Sequence, residues 1–324
     1  MEKFQQLSLR ARAIIKKILL GNNGINTRHL SLDSIAEVFD IDPDTLHARF
    51  AKNAPSLATQ AAERALAQAG VSAQQIDAVI VSTCTGYLCP GLTSYVAESL
   101  RLRSNVYALD LVGQGCGAAL PNLRAGEALL KSGRAERVLS ICVEVCSAAF
   151  YLDDDAGVLV SACLFADAAG AAVLSTRPGA RKVEWLEADS SLDPGARDLL
   201  RFETKNGMLR NILTPTVPAL AAKTAAALFQ TMAEKHGVKH KHISSWIFHA
   251  GGRDVLAALQ KELRLQEQDL RWSAEVLRDL GNVSSSFVFH VLERALQNGA
   301  PGGMWWMSSF GAGFSCHGAL LKVD

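Results

Sequence analysis

The segment Asp110-Leu-Val-Gly-Gln-Gly-Cys-Gly-Ala-Ala constrains this chain most. A β-branched strand pattern breaks there into alternating glycines, and Pro121 to Lys131 then reads as a helix. A strand that turns straight into a helix is the building unit of α/β folds, and here it puts Cys116 at the turn. Unpaired N–H groups and the helix dipole favour a thiolate at such a place, and glycine lets substrate and backbone approach closely. Two further junctions carry polar groups. Ser245-Trp-Ile-Phe-His-Ala-Gly-Gly places His249 at a strand end, and Asp279-Leu-Gly-Asn-Val-Ser-Ser-Ser is expected to place Asn282 at another, just ahead of a helix. Strand ends in open α/β sheets line the crevice that takes ligands, so distant residues can meet there. Taken singly, each has a plainer explanation: a structural thiol, a satisfied half-buried histidine and an ordinary N-cap. Cys142, Cys146 and Cys163 lie in apolar runs, where cysteine is a small core residue, and Cys84 and Cys89 lie in a loop.

Strands and helices alternate along the chain. The pattern predicts helices over 58–69, 92–100 and 121–132 and strands over 78–83, 106–112 and 137–145, which reads as a parallel α/β arrangement. After Thr176-Arg-Pro-Gly the theme repeats, with helices at 219–236, 254–263 and 284–298, a strand at 246–248 and a final hairpin from Met304 to Val323. The chain divides accordingly into 1–176, which carries Cys116, and 177–324, which carries His249 and Asn282.

At 324 residues, 49% of them hydrophobic, the chain can bury a large core. Its 33 basic and 32 acidic side chains leave no excess to point to nucleic acid or membrane as the main partner. No run of about 18 apolar residues suggests a membrane span. Lys3, Arg10, Arg12, Lys16 and Lys17 interrupt Met1 to Leu20 and argue against a secretory signal. Seven cysteines without metal-ligand spacing suit a reducing compartment, so the cytoplasm is expected. Asp153-Asp-Asp reads as a solvated loop rather than a metal site.

Gly113-Gln-Gly-Cys-Gly, Phe248-His-Ala-Gly-Gly and Leu280-Gly-Asn-Val-Ser-Ser, in that order, resemble the Cys-His-Asn set of the type III polyketide synthases. These are the chalcone-synthase-like branch of the thiolase-fold condensing enzymes. Ser82-Thr-Cys-Thr-Gly-Tyr-Leu-Cys-Pro-Gly, Cys163-Leu-Phe-Ala-Asp-Ala-Ala-Gly-Ala-Ala and Ser309-Phe-Gly-Ala-Gly-Phe are similar to further family segments. Bacterial members that make alkylpyrones or alkylresorcinols resemble the chain more than plant chalcone synthases do. The resemblance implies a thiolase-like duplicated α-β-α-β-α five-layer fold, a homodimer, an acyl-CoA starter and malonyl-CoA as substrates, and no metal or redox cofactor.

The implied chemistry accounts for the three residue types. A Cys116 thiolate takes the acyl group from CoA as a thioester, which splits one transfer into two easier steps. A protonated His249 beside it would keep it ionised. Malonyl-CoA then loses CO₂, and the enolate oxygen left behind needs donors, here the His249 Nε2–H and the Asn282 amide. A carboxylate in place of Asn282 would repel both malonate and enolate. The resemblance further assigns Phe165 as a gate between the CoA tunnel and the cavity, Cys84 and Thr85 as cavity lining, and Cys89 as a residue reaching across the dimer interface. Gly311 and Gly313 fall in a loop that shapes cyclisation, where Ala312 replaces the family's proline. A second gating phenylalanine aligns near Leu209 and Arg210, which would make the entrance more polar or open. Ser147, Ala148 and Ala149 fall at lining positions. Ala148 and Ala149 are equally readable as strand packing, and as cavity wall they would leave room for a long acyl starter. Arg10, Arg12, Lys16 and Lys17 lie either in a segment that holds CoA phosphates or on a solvated basic face.

One departure stands out. The family's first N-terminal strand has no counterpart, and it is expected to leave an open slot in the middle of the first sheet. A late start, a clipped chain and a shortened, weakly active protein all fit. The rivals to a polyketide synthase are a ketoacyl-carrier-protein synthase III, which usually shows His-Gln-Ala-Asn where this chain has His249-Ala-Gly-Gly, and a truncated non-catalytic relative.

Overall fold

Residues of the first sheet alternate between two cores. In β1 (Ala78–Ser82), Val79 and Val81 pack with α2 (Pro43–Ala69), while Ala78 and Ile80 pack towards α4 (Ala119–Lys131). Successive side chains of a strand point to opposite faces, so helices cover both sides and the strand is buried at every residue. The computed structural model describes residues 7–150, 152–178 and 183–324, so residues 1–6 of the N-terminal stretch and Gly179 of the boundary segment lie outside it.

β1 pairs in parallel with β2 (Tyr107–Leu111) on one side and with β3 (Arg137–Glu144) on the other, residue for residue. The expected open slot is therefore not present between them. β4 (Ala168–Ser175) runs antiparallel to β3, which ends the expected all-parallel pattern and gives the order β2-β1-β3-β4. The reason lies in α5 (Ala156–Leu164). Its Leu159 and Cys163 pack on Ala11 and Ile15 of α1 (Leu9–Leu20) instead of across the sheet, so the chain re-enters at the end where it left.

The second sheet has the order β5 (Val183–Leu192), β10 (Ser315–Val323), β9 (Gly303–Gly311), β8 (Ile243–Phe248), and within it only β8 and β9 are parallel. α4 lies between the sheets: Leu120 and Leu123 belong to the second core, Ala125 and Leu129 to the first. α9 (Phe287–Gln297) shares that layer, with Phe289 so close to Gly170 of β4 that a side chain at 170 would meet its Cβ at 2.7 Å. α6 (Val217–Lys235) covers the outer face, where Gly318 of β10 approaches Leu228, while the next residue back, His317, faces Gly117 at the start of α4. With α3 (Leu92–Ser99) beside α2, α7 (Arg253–Leu263) beside α6, and α8 (Arg271–Leu280) packed against α7 and α9, the order of layers is α-β-α-β-α.

Several boundaries differ from the sequence pattern. α2 starts at Pro43, well before residue 58, because the Asp42 side chain accepts from Thr45 N at 3.0 Å and Pro43 supplies first-turn geometry; Pro55 is carried inside the helix. An unforeseen hairpin joins β6 (Leu200–Lys205) to β7 (Met208–Leu213). It turns at Asn206 and Gly207, with φ of 52° and 77°, as a two-residue type I′ turn requires. α8 is also unforeseen, so Asn282 follows a helix and not a strand. No helix among the described residues is long and apolar enough to cross a membrane.

Candidate active site

Cys116 sits in a 3₁₀ turn, Gly115–Gly117, that runs directly into α4. Gly115 has a φ of 58°, and a side chain there would meet Ala312 N at 2.8 Å. A side chain on Gly117 would meet Gly311 N at 3.0 Å, and Gly311 itself lies against the backbone of Gln114 and Gly117. Ser309 Oγ adds a bond to Gly117 O at 3.0 Å. The glycines are needed because two backbones touch here. The β9–β10 turn thereby clamps the turn that carries the thiol. Gly313, at φ 131°, packs against Leu192 and shapes that turn.

Cys116 is nearly buried, at 9% exposure, and its sulfur accepts a hydrogen bond from Ser284 Oγ at 3.2 Å. Ser284 was not foreseen from the sequence. It holds a left-handed φ of 51°, stabilised by a bond from its N–H to Asn282 Oδ1 at 3.0 Å. Asn282 Nδ2 donates to Gly251 O at 3.1 Å, and the Asn282 backbone bridges to Phe165 through Leu164 O and Ala166 N, both at 2.9 Å. Asn282 thus ties together the His249 segment, the Phe165 turn and the serine beneath Cys116.

His249 is buried, with Phe287 and Phe310 set edge-on at 5.4 and 5.7 Å between ring centres. Burial pushes its ring down to about 4; the nearby Asn282 amide opposes this, although neither ring nitrogen makes a hydrogen bond among the described residues. The uncharged ring is therefore the resting form at neutral pH. This differs from the imidazolium expected to keep Cys116 ionised. Two unpaired ring nitrogens in a buried site are unfavourable until an incoming group meets them.

Glu144 closes the other side and was also missed. Fully buried, it accepts from Thr85 Oγ1 at 2.9 Å, from Cys84 N at 3.1 Å and from Ser285 Oγ. No cation is among its partners, and burial pushes its carboxyl above the usual range. Cys84 Sγ donates to Glu144 Oε1 at 3.4 Å and meets Ser284 Oγ at 3.4 Å. Its thiol is pushed well up, first by hydrogen bonding with Cys116 and then by burial, which keeps it protonated. Cys84 is a donor here, not a second nucleophile.

Cys116, Cys146, Phe150 and Phe165 form one cluster, and beside it lies a narrow pocket with a cavity volume of about 20 Å³. Thr85, Ala149 and Phe165 line it. Phe150, Val158, Ser161, Ala162, Phe202 and Asn211 were not foreseen. Cys89 is exposed and outside this lining, Cys84 serves the Glu144 network, and Ser147 is bound to Asp167 Oδ2 at 2.6 Å. Arg210 does not open the entrance. It meets Asp153, Asp155 and Glu203 at 3.6, 3.2 and 3.0 Å, so the acidic run is its counter-charge instead of a solvated loop. The pocket's volume is far below the roughly 300–1,000 Å³ of ligand pockets, and its aromatic walls leave little room for the long acyl chain that small residues at 147–149 suggested.

Comparison with known proteins agrees along the whole chain. A family model described as FAE1/Type III polyketide synthase-like protein matches residues 3–189, and one for chalcone and stilbene synthases, C-terminal domain, matches 188–322. A 3,5-dihydroxyphenylacetyl-CoA synthase of Streptomyces toyocaensis is 28% identical over 95% of this chain and 82% of its own. A phloroglucinol synthase of Pseudomonas fluorescens is 26% identical over 95% of this chain and 89% of its own. The crystal structure of 1,3,6,8-tetrahydroxynaphthalene synthase from Streptomyces coelicolor superposes with a TM-score of 0.89 at 26% identity, covering 97% of this chain and 89% of that one.

Proposed function

The chain belongs to the type III polyketide synthase family, and on that premise we propose that Cys116 carries the growing acyl chain while His249 and Asn282 hold the enolate that extends it. The enzyme is an acyltransferase that joins acyl-CoA units by decarboxylating Claisen condensation. The observation that carries the assignment of residues is the chain of contacts from Cys116 through Ser284 to Asn282, beside a buried His249 whose two nitrogens have no partner.

The neutral His249 takes the Cys116 proton as the sulfur attacks the acyl-CoA carbonyl, and CoA leaves as the thiol. Transfer of that proton occurs next to the sulfur, where the resulting imidazolium has a counter-charge. Malonyl-CoA then loses CO₂, and its electron pair becomes an enolate whose oxygen accepts from His249 and Asn282. The enolate carbon attacks the Cys116 thioester, the sulfur leaves, and a β-oxoacyl-CoA two carbons longer results. Repetition yields a chain with oxygens on alternate carbons, which closes to a pyrone or resorcinol-type ring. The names of the relatives, with hydroxyls at 3,5 or 1,3,6,8, fit the resorcinol-type closure. None of these steps requires a metal or redox cofactor.

The proposal extends to the assembly. We read 1–176 and 177–324 as two halves, supplying Cys116 and the His249–Asn282 pair respectively. A homodimer is supported by the free edge of β2, which exposes Tyr107 and the following Val112, and the partly exposed thiols suit the reducing cytoplasm. Arg10, Lys16 and Lys17, on the side of α1 turned from Ala11 and Ile15, are placed to meet CoA phosphates near the α5 segment that leads to Phe165. Incubation of the purified protein with a panel of acyl-CoA starters and malonyl-CoA, with mass analysis of products, tests the reading. Multi-malonyl products that disappear in Cys116→Ala support it, and undiminished turnover by that variant would sink it.

A further inference from the structure

We propose that Asn211 and Ser161 form a polar subsite that selects acyl chains carrying an oxygen on the β-carbon over saturated chains of the same length. The proposal rests on the polyketide-synthase reading above and concerns the pocket beside Cys116.

The β6–β7 hairpin has two unlike faces. Phe202 and Asn211 stand directly opposite one another and both line the pocket. Their neighbours Arg201, Glu203 and Arg210 are tied together outside it, at 2.6 and 3.0 Å. A strand's period of two separates these sets. α5 comes so close to β7 that a side chain on Gly157 would meet Leu213 O at 2.7 Å. One helical turn on, Ser161 meets Asn211. Ser161 Oγ donates to Gly157 O at 2.8 Å, so its hydrogen is committed and its oxygen accepts from Asn211 Nδ2 at 2.9 Å.

That is the single side-chain hydrogen bond of Asn211 among the described residues, and Asn211 is only 7% exposed. A carboxamide offers two N–H groups and an oxygen, so one donor and the acceptor remain available. The neighbouring walls are Phe150, Val158, Ala162, Phe165 and Phe202, which offer no side-chain partner. A saturated chain lying against these walls would leave the amide buried and unpaired. A β-oxo or hydroxyl oxygen would accept its N–H. Sites built to hydrogen-bond a substrate group discriminate strongly against analogues lacking it. Each condensation round creates a β-oxo group, so the pair would also grip the enzyme's own intermediates.

The test uses acetoacetyl-CoA and butyryl-CoA, which have equal carbon number and differ at the β-carbon. Their kcat/KM values are compared in the wild-type enzyme, Asn211→Leu and Ser161→Ala, with malonyl-CoA as extender. The expected result is an acetoacetyl-to-butyryl preference that falls about tenfold in Asn211→Leu, through loss of acetoacetyl turnover, and several-fold in Ser161→Ala, as for loss of one hydrogen bond. If Asn211→Leu does not fold, Ser161→Ala, which barely changes the volume, decides. A preference unchanged in the folded variants, or both starters slowed equally, overturns the subsite alone. Transfer of neither acyl group to wild-type Cys116 by intact mass overturns the polyketide reading and the subsite with it.

Discussion

Ser284 donates a hydrogen bond to the Cys116 sulfur at 3.2 Å from a left-handed backbone of φ 51°. A serine in that region is strained, by roughly 1–2 kcal/mol relative to glycine, and it persists because Asn282 Oδ1 holds its N–H. Strain of this kind gathers where function demands a fixed geometry. Ser284 Oγ also lies 3.4 Å from Glu144 Oε1, the oxygen to which Ser285 already donates, so the contact to the sulfur is the shorter of these two.

Two substitutions separate strain from function. Ser284→Ala keeps the strain and loses the bond, whereas Ser284→Gly loses both. Cys116 acylation should slow about tenfold in each, as for one lost hydrogen bond. Ser284→Gly should be more stable than Ser284→Ala by about 1 kcal/mol in urea unfolding. Equal stability of the two would remove strain from the account.

Removing the amide donor should leave the first half-reaction standing. Asn282→Ala is expected to cut malonyl-CoA decarboxylation by about 10²–10³-fold, with single-turnover acylation of Cys116 falling less. His249→Gln removes the base for Cys116 as well as an enolate donor, so it should slow both half-reactions. A larger effect of Asn282→Ala on acylation than on CO₂ release, or normal acylation by His249→Gln, would contradict the roles assigned here.

Burial of its histidines should cost the protein stability as pH falls below neutral. Burial pushes His249 and His317 each down to about 4, against about 6.5 for a free histidine. Between these values the unfolded chain binds more protons than the folded one. The stability each ring contributes is therefore complete above about pH 6.5 and is lost as pH falls towards 4, by up to about 3 kcal/mol per ring. Urea midpoints measured from pH 7 to 4.5 should fall steeply, and His317→Gln should flatten the slope. A midpoint constant over that range would contradict the burial effect.

Gly311→Ala should disable the enzyme from the second sheet. The new methyl group would press on the backbone of Gln114 and Gly117, so either the β9–β10 turn or the Cys116 turn must move. A loss of about 1–3 kcal/mol in stability is expected, as for other overpacked positions, together with at least a tenfold loss of acylation. Normal acylation would show that the two turns are not coupled.

What the sequence reveals follows the range of the forces involved. Cys116 and His249 could be identified because glycines break strand patterns beside them, a local signal. Asn282 was recognisable from its motif, but α8, which precedes it, was not, and so its setting was misjudged. The antiparallel β4 depends on α5 packing against α1, and the absence of a slot depends on β1 finding β3; both are long-range outcomes that no local pattern encodes. Glu144 ends an apolar strand and gains meaning only where Thr85, Cys84 and Ser285 converge. The β6–β7 hairpin is different. Asn206-Gly207 is a strong turn signal, and together with the alternation of Met208 to Leu213 it could have disclosed the strand that brings Asn211 to the pocket.

Intact-protein mass spectrometry after brief exposure to a single acyl-CoA tests the central claim most directly. A mass increase equal to the acyl group, absent from Cys116→Ala and discharged by malonyl-CoA, is the predicted result. An adduct that survives Cys116→Ala, or a folded wild-type protein that takes up no acyl group from any CoA thioester offered, would contradict it.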